Sequence, residues 1–272
     1  MLIESIKFIF YSALIVVISK YILVVTLRKL AENLNLNAKT TGNIAGAATS
    51  VPELLTITTS SLRGLTYASV YNILSSNVIN LIQYLATIIL NKNTSKLKNL
   101  AITFDMILVS FTIIIPIVFL KLSIELNMYI VPLFIICYAL FSVLNNSAHK
   151  EYLQTKVKQK QVKKQRINKK ATVKYISILI ITGIMLYVVG NQLGNTLEKL
   201  CYLFNVPEFI VGILLGLITS IPELITFFEA QKYNKKIQDE MLGVIEATNN
   251  LLTSNIMNLF VIQTIGILLV NR

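Results

Sequence analysis

The apolar residues of this chain fall in blocks of roughly 20, the length a helix needs to cross about 30 Å of hydrocarbon. Eight such blocks are present: Ile6–Leu27, Ala38–Leu62, Leu65–Leu90, Leu100–Leu120, Met128–Ala148, Val173–Leu193, Val206–Ala230 and Leu242–Val270. Hydrophobic residues make up 54% of the 272-residue chain and charged residues 14%, with a mean hydropathy of +0.67. Soluble chains carry about 25% charged residues, so there is too little charge here to coat a water-facing surface. A soluble enzyme and a disordered chain are both excluded. The fold class is all-α: a polytopic membrane helix bundle of about eight transmembrane helices. The first block is too long for a signal-peptide core and lacks an A-x-A pattern, so it reads as a retained span. Cys137 and Cys201 lie in or near apolar blocks and read as small buried hydrophobes rather than a disulfide. With no CxxC and His149 as the only histidine, no zinc or haem ligand pattern exists.

The net charge of +12 is distributed unevenly between the loops. With the N-terminus outside, nineteen basic residues fall on the cytoplasmic side: Arg28, Lys29, Lys39, Lys92, Lys96, Lys98, ten from Lys150 to Lys174, and Lys232, Lys235 and Lys236. The opposite side holds five: Lys7, Arg63, Lys121, Lys199 and Arg272. Positive loops stay in the cytoplasm, so both termini are expected outside a cell membrane crossed many times. The one long polar stretch, 149–172, separates an N-terminal five-span half (1–148) from a C-terminal three-span half (173–272). It reads as a topology signal and solvated linker, with contact to lipid headgroups or a regulatory contact as the alternatives. No aromatics are interleaved with its charges, so nucleic acid is not an expected partner.

An internal repeat constrains the chain further. Residues 42–56 read GNIAGAATSVPELLT and residues 212–226 read GILLGLITSIPELIT, identical at eight of fifteen positions. A second block follows each copy: NILSSNVINL at 72–81 and NLLTSNIMNL at 250–259, identical at six of ten positions. The identities are largely Gly, Pro and polar residues, so chance matching of apolar sequence does not explain them. The first copy begins in an even-numbered span and the second in an odd-numbered one. They therefore cross in opposite senses, the inverted topology of secondary transporters.

The repeated residues have a definite chemistry. Pro52 and Pro222 withhold an N–H from the carbonyls of Ala48 and Ile218, and a free carbonyl in hydrocarbon is costly unless something binds it. Thr49, Ser50 and Glu53 share a helix face by spacing, as do Thr219, Ser220 and Glu223. Ser76 and Asn80, and Ser254 and Asn258, form four-residue steps on the partner helices, extended by Asn72 and Asn250. Two such sets facing each other make an all-oxygen cage with two carboxylates. Ca²⁺ takes 6–8 oxygen ligands, Na⁺ can use the same atoms singly, and no soft ligand for Cu⁺ or Zn²⁺ is offered. The glycine spacing, such as Gly42-xxx-Gly46, is also an ordinary helix-packing device. The glutamates resist a bland reading, because a carboxylate at mid-membrane costs about 2.5–3.5 kcal/mol on insertion scales. Of the remaining polar residues, Asp105 reads as interfacial, Glu246 as interfacial with an entry-path carboxylate as the alternative, Lys20 as snorkelling and His149 as solvated.

The paired TSxPE blocks resemble the alpha repeats of the calcium/cation antiporter superfamily, most closely its sodium/calcium exchanger branch. YNILSSN and NNLLTSN match loosely the G-N-x-x-G-S-N pattern that follows in the family. The resemblance covers residues 42–81 and 212–259. It implies a transporter rather than an enzyme, with no cofactor, carrying Ca²⁺ and Na⁺ through the bilayer. It further implies Glu53 and Glu223 as central Ca²⁺ ligands. Thr49, Ser50, Thr219, Ser220, Ser76 and Ser254 would serve Na⁺ sites, with backbone carbonyls near Gly46 and Gly216. The proton-coupled branch carries G-N-x-x-E in place of T-S-x-P-E, which favours Na⁺ coupling. Members commonly have ten spans, so the last two have no counterpart among the eight seen here. Ser75 and Thr253 stand where the family has Gly, and Asn258 where some members have Asp. H⁺ coupling, another divalent cation, a channel and a non-transporting relative are the alternative readings.

Overall fold

In the computed structural model, which describes residues 2–62, 66–122, 124, 127–157, 167–205, 207–236 and 239–270, each of the eight apolar blocks is a helical rod. Rod 1 is α1 (Leu2–Ile18), a π-helical turn (Ser19–Leu23) and α2 (Val24–Asn33). Rod 2 is broken into α3 (Ala38–Thr49) and α4 (Val51–Leu62). Rods 3 to 6 are α5 (Thr66–Leu90), α6 (Leu100–Lys121), α7 (Val131–Val157) and α8 (Lys169–Leu203). Rod 7 is broken into α9 (Glu208–Thr219) and α10 (Ile221–Lys236). Rod 8 joins α11 (Glu240–Ile256) through a second π-helical turn (Met257–Ile262) to α12 (Gln263–Val270). Among the described residues, six helical stretches are long and apolar enough to span a membrane by themselves, and Val131–Ser147 is a shorter apolar one. Rod 2 is not among them: its first half carries Lys39, Thr40, Thr41 and Asn43 where the equally interrupted rod 7 is apolar.

Several rods outrun their apolar blocks. Rod 1 reaches Asn33, α8 begins at Lys169, and α7 continues past Ala148 to Val157. Helical backbone satisfies its own hydrogen bonds in water as well as in lipid, so polar ends extend the helix without extending the apolar run. The linker expected at 149–172 is shortened accordingly, and its residues 158–166 lie outside the described residues.

Rods 1 and 6 run antiparallel. At one end Asn33 Nδ2 donates to the Asn168 carbonyl at 3.1 Å and to Thr172 Oγ1 at 2.8 Å. At the other, Glu4, Lys7 and Tyr11 line a cavity of about 320 Å³ with Gln192, Thr196 and Lys199. Their faces toward the bundle, with parts of α3 and α9, form one apolar cluster that includes Ile15, Ile18, Leu186, Leu193, Leu215 and Ile218. A larger cluster unites α5, α6, α7, α10 and α11 around Tyr84, Phe134, Phe227 and Phe260. The outward faces are apolar too: Ile6, Ile9 and Phe10 on α1, and Ile180, Ile181 and Ile184 on α8, are exposed. Apolar faces both inward and outward suit a hydrocarbon solvent.

The repeat is longer than sequence identity reveals. In the register that pairs Gly42 with Gly212, the α2 cap Leu34 pairs with the α8 cap Phe204, and α3 and α9 begin and end in step. Asn35 and Asn205 pair as well, and both are left-handed, with φ of 53° and 54°. Asparagine tolerates that conformation better than branched residues do.

The fourth and fifth spans, α6 and α7, are plain apolar stretches in the sequence, yet they are not wholly peripheral. Ile107, Phe111 and Ile114 of α6 face outward. Asp105 and Thr112 on the same helix are fully buried, and Asn145 of α7 is buried with them. Isolated polar residues scarcely lower a span's mean hydropathy, so the sequence hides them.

Candidate cation site

The site starts from the two prolines. Helix α3 stops at Thr49 and α9 at Thr219, with Ser50 and Ser220 as single-residue breaks before α4 and α10. Each break sets two opposed dipole ends side by side. The C-termini of α3 and α9 present carbonyls, which favour a cation, and the N-termini of α4 and α10 hold Glu53 and Glu223 in their first turns.

Close approach of backbones then closes the site. A Cβ on Gly46 would stand 2.5 Å from the Asn250 carbonyl oxygen and 3.0 Å from the Ser254 nitrogen. One on Gly216 would strike Ser75 Oγ and lie 2.9 Å from the Asn72 carbonyl oxygen. Only glycine lets α3 lie on α11 and α9 on α5. Each broken helix thus packs against the Ser-Asn helix of the other repeat.

Matched hydrogen bonds brace the two carboxylate turns. Thr56 Oγ1 donates to the Glu53 carbonyl at 3.0 Å and accepts from Asn72 Nδ2 at 2.8 Å. Thr226 Oγ1 donates to the Glu223 carbonyl at 2.8 Å and accepts from Asn250 Nδ2. Thr49 Oγ1 donates to the Ala45 carbonyl and Thr219 Oγ1 to the Leu215 carbonyl, each at 3.0 Å. Across the interface Ser50 Oγ bonds Ser254 Oγ at 2.9 Å, and Ser254 Oγ donates to Glu223 Oε1 at 3.0 Å. Thr219 stands beside Glu53 and Thr49 beside Glu223, and the two carboxylates are near enough to interact electrostatically.

Asparagines form the far wall. Asn77 and Asn255 each donate to the other's carbonyl, at 3.3 and 3.2 Å. Asn80 Nδ2 donates to Asn255 Oδ1 at 3.2 Å and Asn258 Nδ2 to Asn77 Oδ1 at 3.2 Å. Asn258 lies in the second π-helical turn, a distortion that recurs at functional sites.

All twelve residues singled out from the sequence are brought together. Glu53, Glu223, Ser50, Thr49, Thr219, Ser220, Ser76, Ser254, Asn80 and Asn258 are each at most 1% exposed. The carbonyls of Gly46 and Gly216 are already in use. The first accepts from Ser50 N, Ser50 Oγ and Thr49 Oγ1, the second from Ser220 N, Thr219 Oγ1 and Ser76 Oγ. Spare capacity lies elsewhere. Both oxygens of Glu53, Oε2 of Glu223, Oδ1 of Asn80, Asn250 and Asn258, and Oγ of Ser220 are buried and accept no hydrogen bond. Neither glutamate has an ion-pair partner among the described residues.

Three polar residues read as interfacial or loop residues are packed inside the bundle. The Oδ1 of Asp105, fully buried, accepts from Asn145 Nδ2 at 3.0 Å, and Asn145 also donates to Asn249 Oδ1 at 3.1 Å. Glu246 is 4% exposed and gripped by both guanidinium nitrogens of Arg28. Lys39, counted above as a loop residue, is 5% exposed and donates to the Asn145 carbonyl at 2.8 Å. Asn77, Asn255, Thr56 and Thr226 had a signal in the sequence, since all four are invariant or equivalent between the repeats.

Broken helices from inverted repeats, crossing at a buried cluster of oxygens, are the architecture of a secondary transporter. The family described as "Sodium/calcium exchanger protein" matches residues 5–145 and 174–271. The chain belongs to that family, a family of membrane cation antiporters. Among solved structures it is similar to the sodium-calcium exchanger NCX_Mj soaked with 10 mM Na⁺ and zero Ca²⁺. That likeness has a TM-score of 0.60 and 19% identity, over 99% of this chain and 84% of the other. The same exchanger soaked with 100 mM Na⁺ and 10 mM Sr²⁺ gives a TM-score of 0.60 at 20% identity, over 99% and 83% of the two chains. Soaked with zero Na⁺ and Ca²⁺ it gives 0.58 at 19%, over 99% and 83%. A search of curated proteins found no match.

Proposed function

We propose that this chain exchanges Ca²⁺ for Na⁺ by alternating access, with Glu53 and Glu223 as shared ligands of the divalent ion near the bilayer midplane. The observation that carries this reading is the pair of fully buried carboxylates, three of whose four oxygens accept no hydrogen bond and neither of which has an ion-pair partner among the described residues. Uncompensated buried ions cost several kcal/mol each. A divalent cation cancels both charges at once and draws on the amide oxygens of Asn80 and Asn258 and the hydroxyl of Ser220. Na⁺ ions use the same carboxylates one at a time, with the hydroxyls of Thr49, Ser50, Thr219, Ser76 and Ser254. Gly46 and Gly216 contribute their missing side chains, which set the helix spacing, and their carbonyls anchor the hydroxyls.

Obligatory exchange follows from the same electrostatics. Reorientation with both carboxylates bare would carry two uncompensated charges through the closed state, whereas either ion load removes that penalty. Inverted repeats supply two related packings of one sequence, each open to one side. We further place both termini outside and the basic segment 149–172 in the cytoplasm, between the halves 1–148 and 173–272, on the nineteen-to-five division of basic residues.

The test is Ca²⁺ uptake into proteoliposomes under an imposed Na⁺ gradient, compared with an H⁺ gradient of equal size. Uptake driven by Na⁺ alone is expected. Uptake driven equally by protons would replace this reading with an H⁺-coupled antiporter, and ion currents far above transporter turnover would replace it with a channel.

A further inference from the structure

One buried ion pair lies outside the cation site and is one-sided in a two-fold repeated molecule. Arg28, at the end of rod 1, donates through Nη1 to Glu246 Oε2 at 2.9 Å and through Nη2 to Oε1 at 2.5 Å. Asn234 of α10 donates to Glu246 Oε2 at 3.0 Å, and the guanidinium lies 4.2 Å from the ring centre of Tyr233. The side chains are 18% and 5% exposed. A bidentate fork of this kind fixes geometry as well as charge.

The pair joins two separately packed parts. Leu27, beside Arg28, belongs to the apolar cluster of rods 1 and 6. Val244, Ile245 and Ala247, around Glu246, belong to the cluster of α5, α6, α7, α10 and α11. Glu246 also heads the stripe that continues through Asn250 to Ser254, the residue that donates to Glu223. A contact that packing alone requires should recur under the pseudo-two-fold in the residue types as well. In the register of the repeats, Arg28 pairs with Glu198 and Glu246 with Ala68, so the sequence does not repeat the guanidinium–carboxylate combination.

We propose that Arg28 and Glu246 form a one-sided latch that holds rod 1 against rods 7 and 8 and biases the protein toward the state closed at this end. Its consequence for transport rests on the antiporter reading. The latch itself does not, and the experiment separates the two. Hydrogen–deuterium exchange is followed by mass spectrometry on the full chain in nanodiscs, with no transported ion added. Arg28→Gln and Glu246→Gln should each speed exchange by about tenfold or more in the peptides around 24–36 and 230–250, the loss expected when one partner of a buried pair is removed. Peptides around 195–212, at the opposite end, should exchange as in the wild type. Glu246→Gln keeps the side chain's shape and carries the test should Arg28→Gln misfold. Equal acceleration at both ends would mean general destabilisation and would overturn the latch, as would no acceleration in either variant.

Discussion

Adding one methyl group at Gly46 should do more damage than its size suggests. In Gly46→Ala the new Cβ would stand 2.5 Å from the Asn250 carbonyl oxygen, 3.0 Å from Ser254 N and 3.0 Å from Thr253 Cβ. Ordinary carbon–oxygen contact begins near 3.3 Å, so α3 and α11 must separate by several tenths of an ångström. Neither backbone can swing aside as a flexible side chain could. Overpacking of this kind costs about 1–3 kcal/mol. The same shift pulls Ser254 from Ser50, 2.9 Å away across that interface, and disturbs the hydroxyl that Ser254 presents to Glu223. The natural control is Gly190→Ala on α8, where a Cβ meets nothing within 4 Å. That change should be neutral or stabilise the helix by up to about 1 kcal/mol. Equilibrium unfolding in mixed micelles gives the stability difference, and Na⁺-driven Ca²⁺ uptake gives the functional one. Gly46→Ala should lose both stability and most of its transport, whereas Gly190→Ala should keep both. A Gly46→Ala protein as stable and as active as Gly190→Ala would refute the close-approach account of the site.

Other outcomes follow from the same geometry. Glu53→Gln and Glu223→Gln should each abolish Ca²⁺ uptake and leave the protein at least as stable in detergent, because a neutral amide replaces a buried charge with no ion-pair partner among the described residues; wild-type uptake in either would remove that residue from the ligand set. Asn77→Ala should cost about 1–3 kcal/mol of unfolding free energy, since it takes the acceptor from the Asn258 amide and the donor from the Asn255 and Thr112 carbonyls; an unchanged unfolding curve would count against the asparagine wall. Cysteines introduced within 158–166 should react with a membrane-impermeant reagent only from the cytoplasmic side, and labelling from outside would reverse the assigned orientation.

The candidate cation site was legible because paired polar residues are conspicuous in an apolar span. Glu53, Glu223 and the Ser-Asn steps stand out against Leu and Ile, and their duplication doubles the signal. The breaks at Ser50 and Ser220 followed from proline chemistry. What could not be read were pairings made across the chain. Arg28 meets Glu246, and Asp105 meets Asn145, at separations no local pattern encodes, so each looked like a lone residue near a span end. The glycines supported two readings, and the backbone distances at Gly46 and Gly216 show that helix spacing alone already requires them. The repeat upstream of Gly42 escaped notice because it survives as conformation, in Asn35 and Asn205, more than as identity.

The exchange of partners between the repeats also bears on how such a protein is made. Because α3 rests on α11 and α9 on α5, neither half can assemble its own share of the cage. During synthesis Glu53 reaches the bilayer long before Ser254 and Glu223 exist, and must wait in a half-built environment. Insertion of rods 7 and 8 is then what draws rods 2 and 3 into their final seats. Assembly therefore concludes with an interlocking of halves rather than the docking of two finished domains. Two separately expressed fragments, 1–148 and 149–272, should accordingly be unstable alone and recover a fold only when inserted into the same membrane.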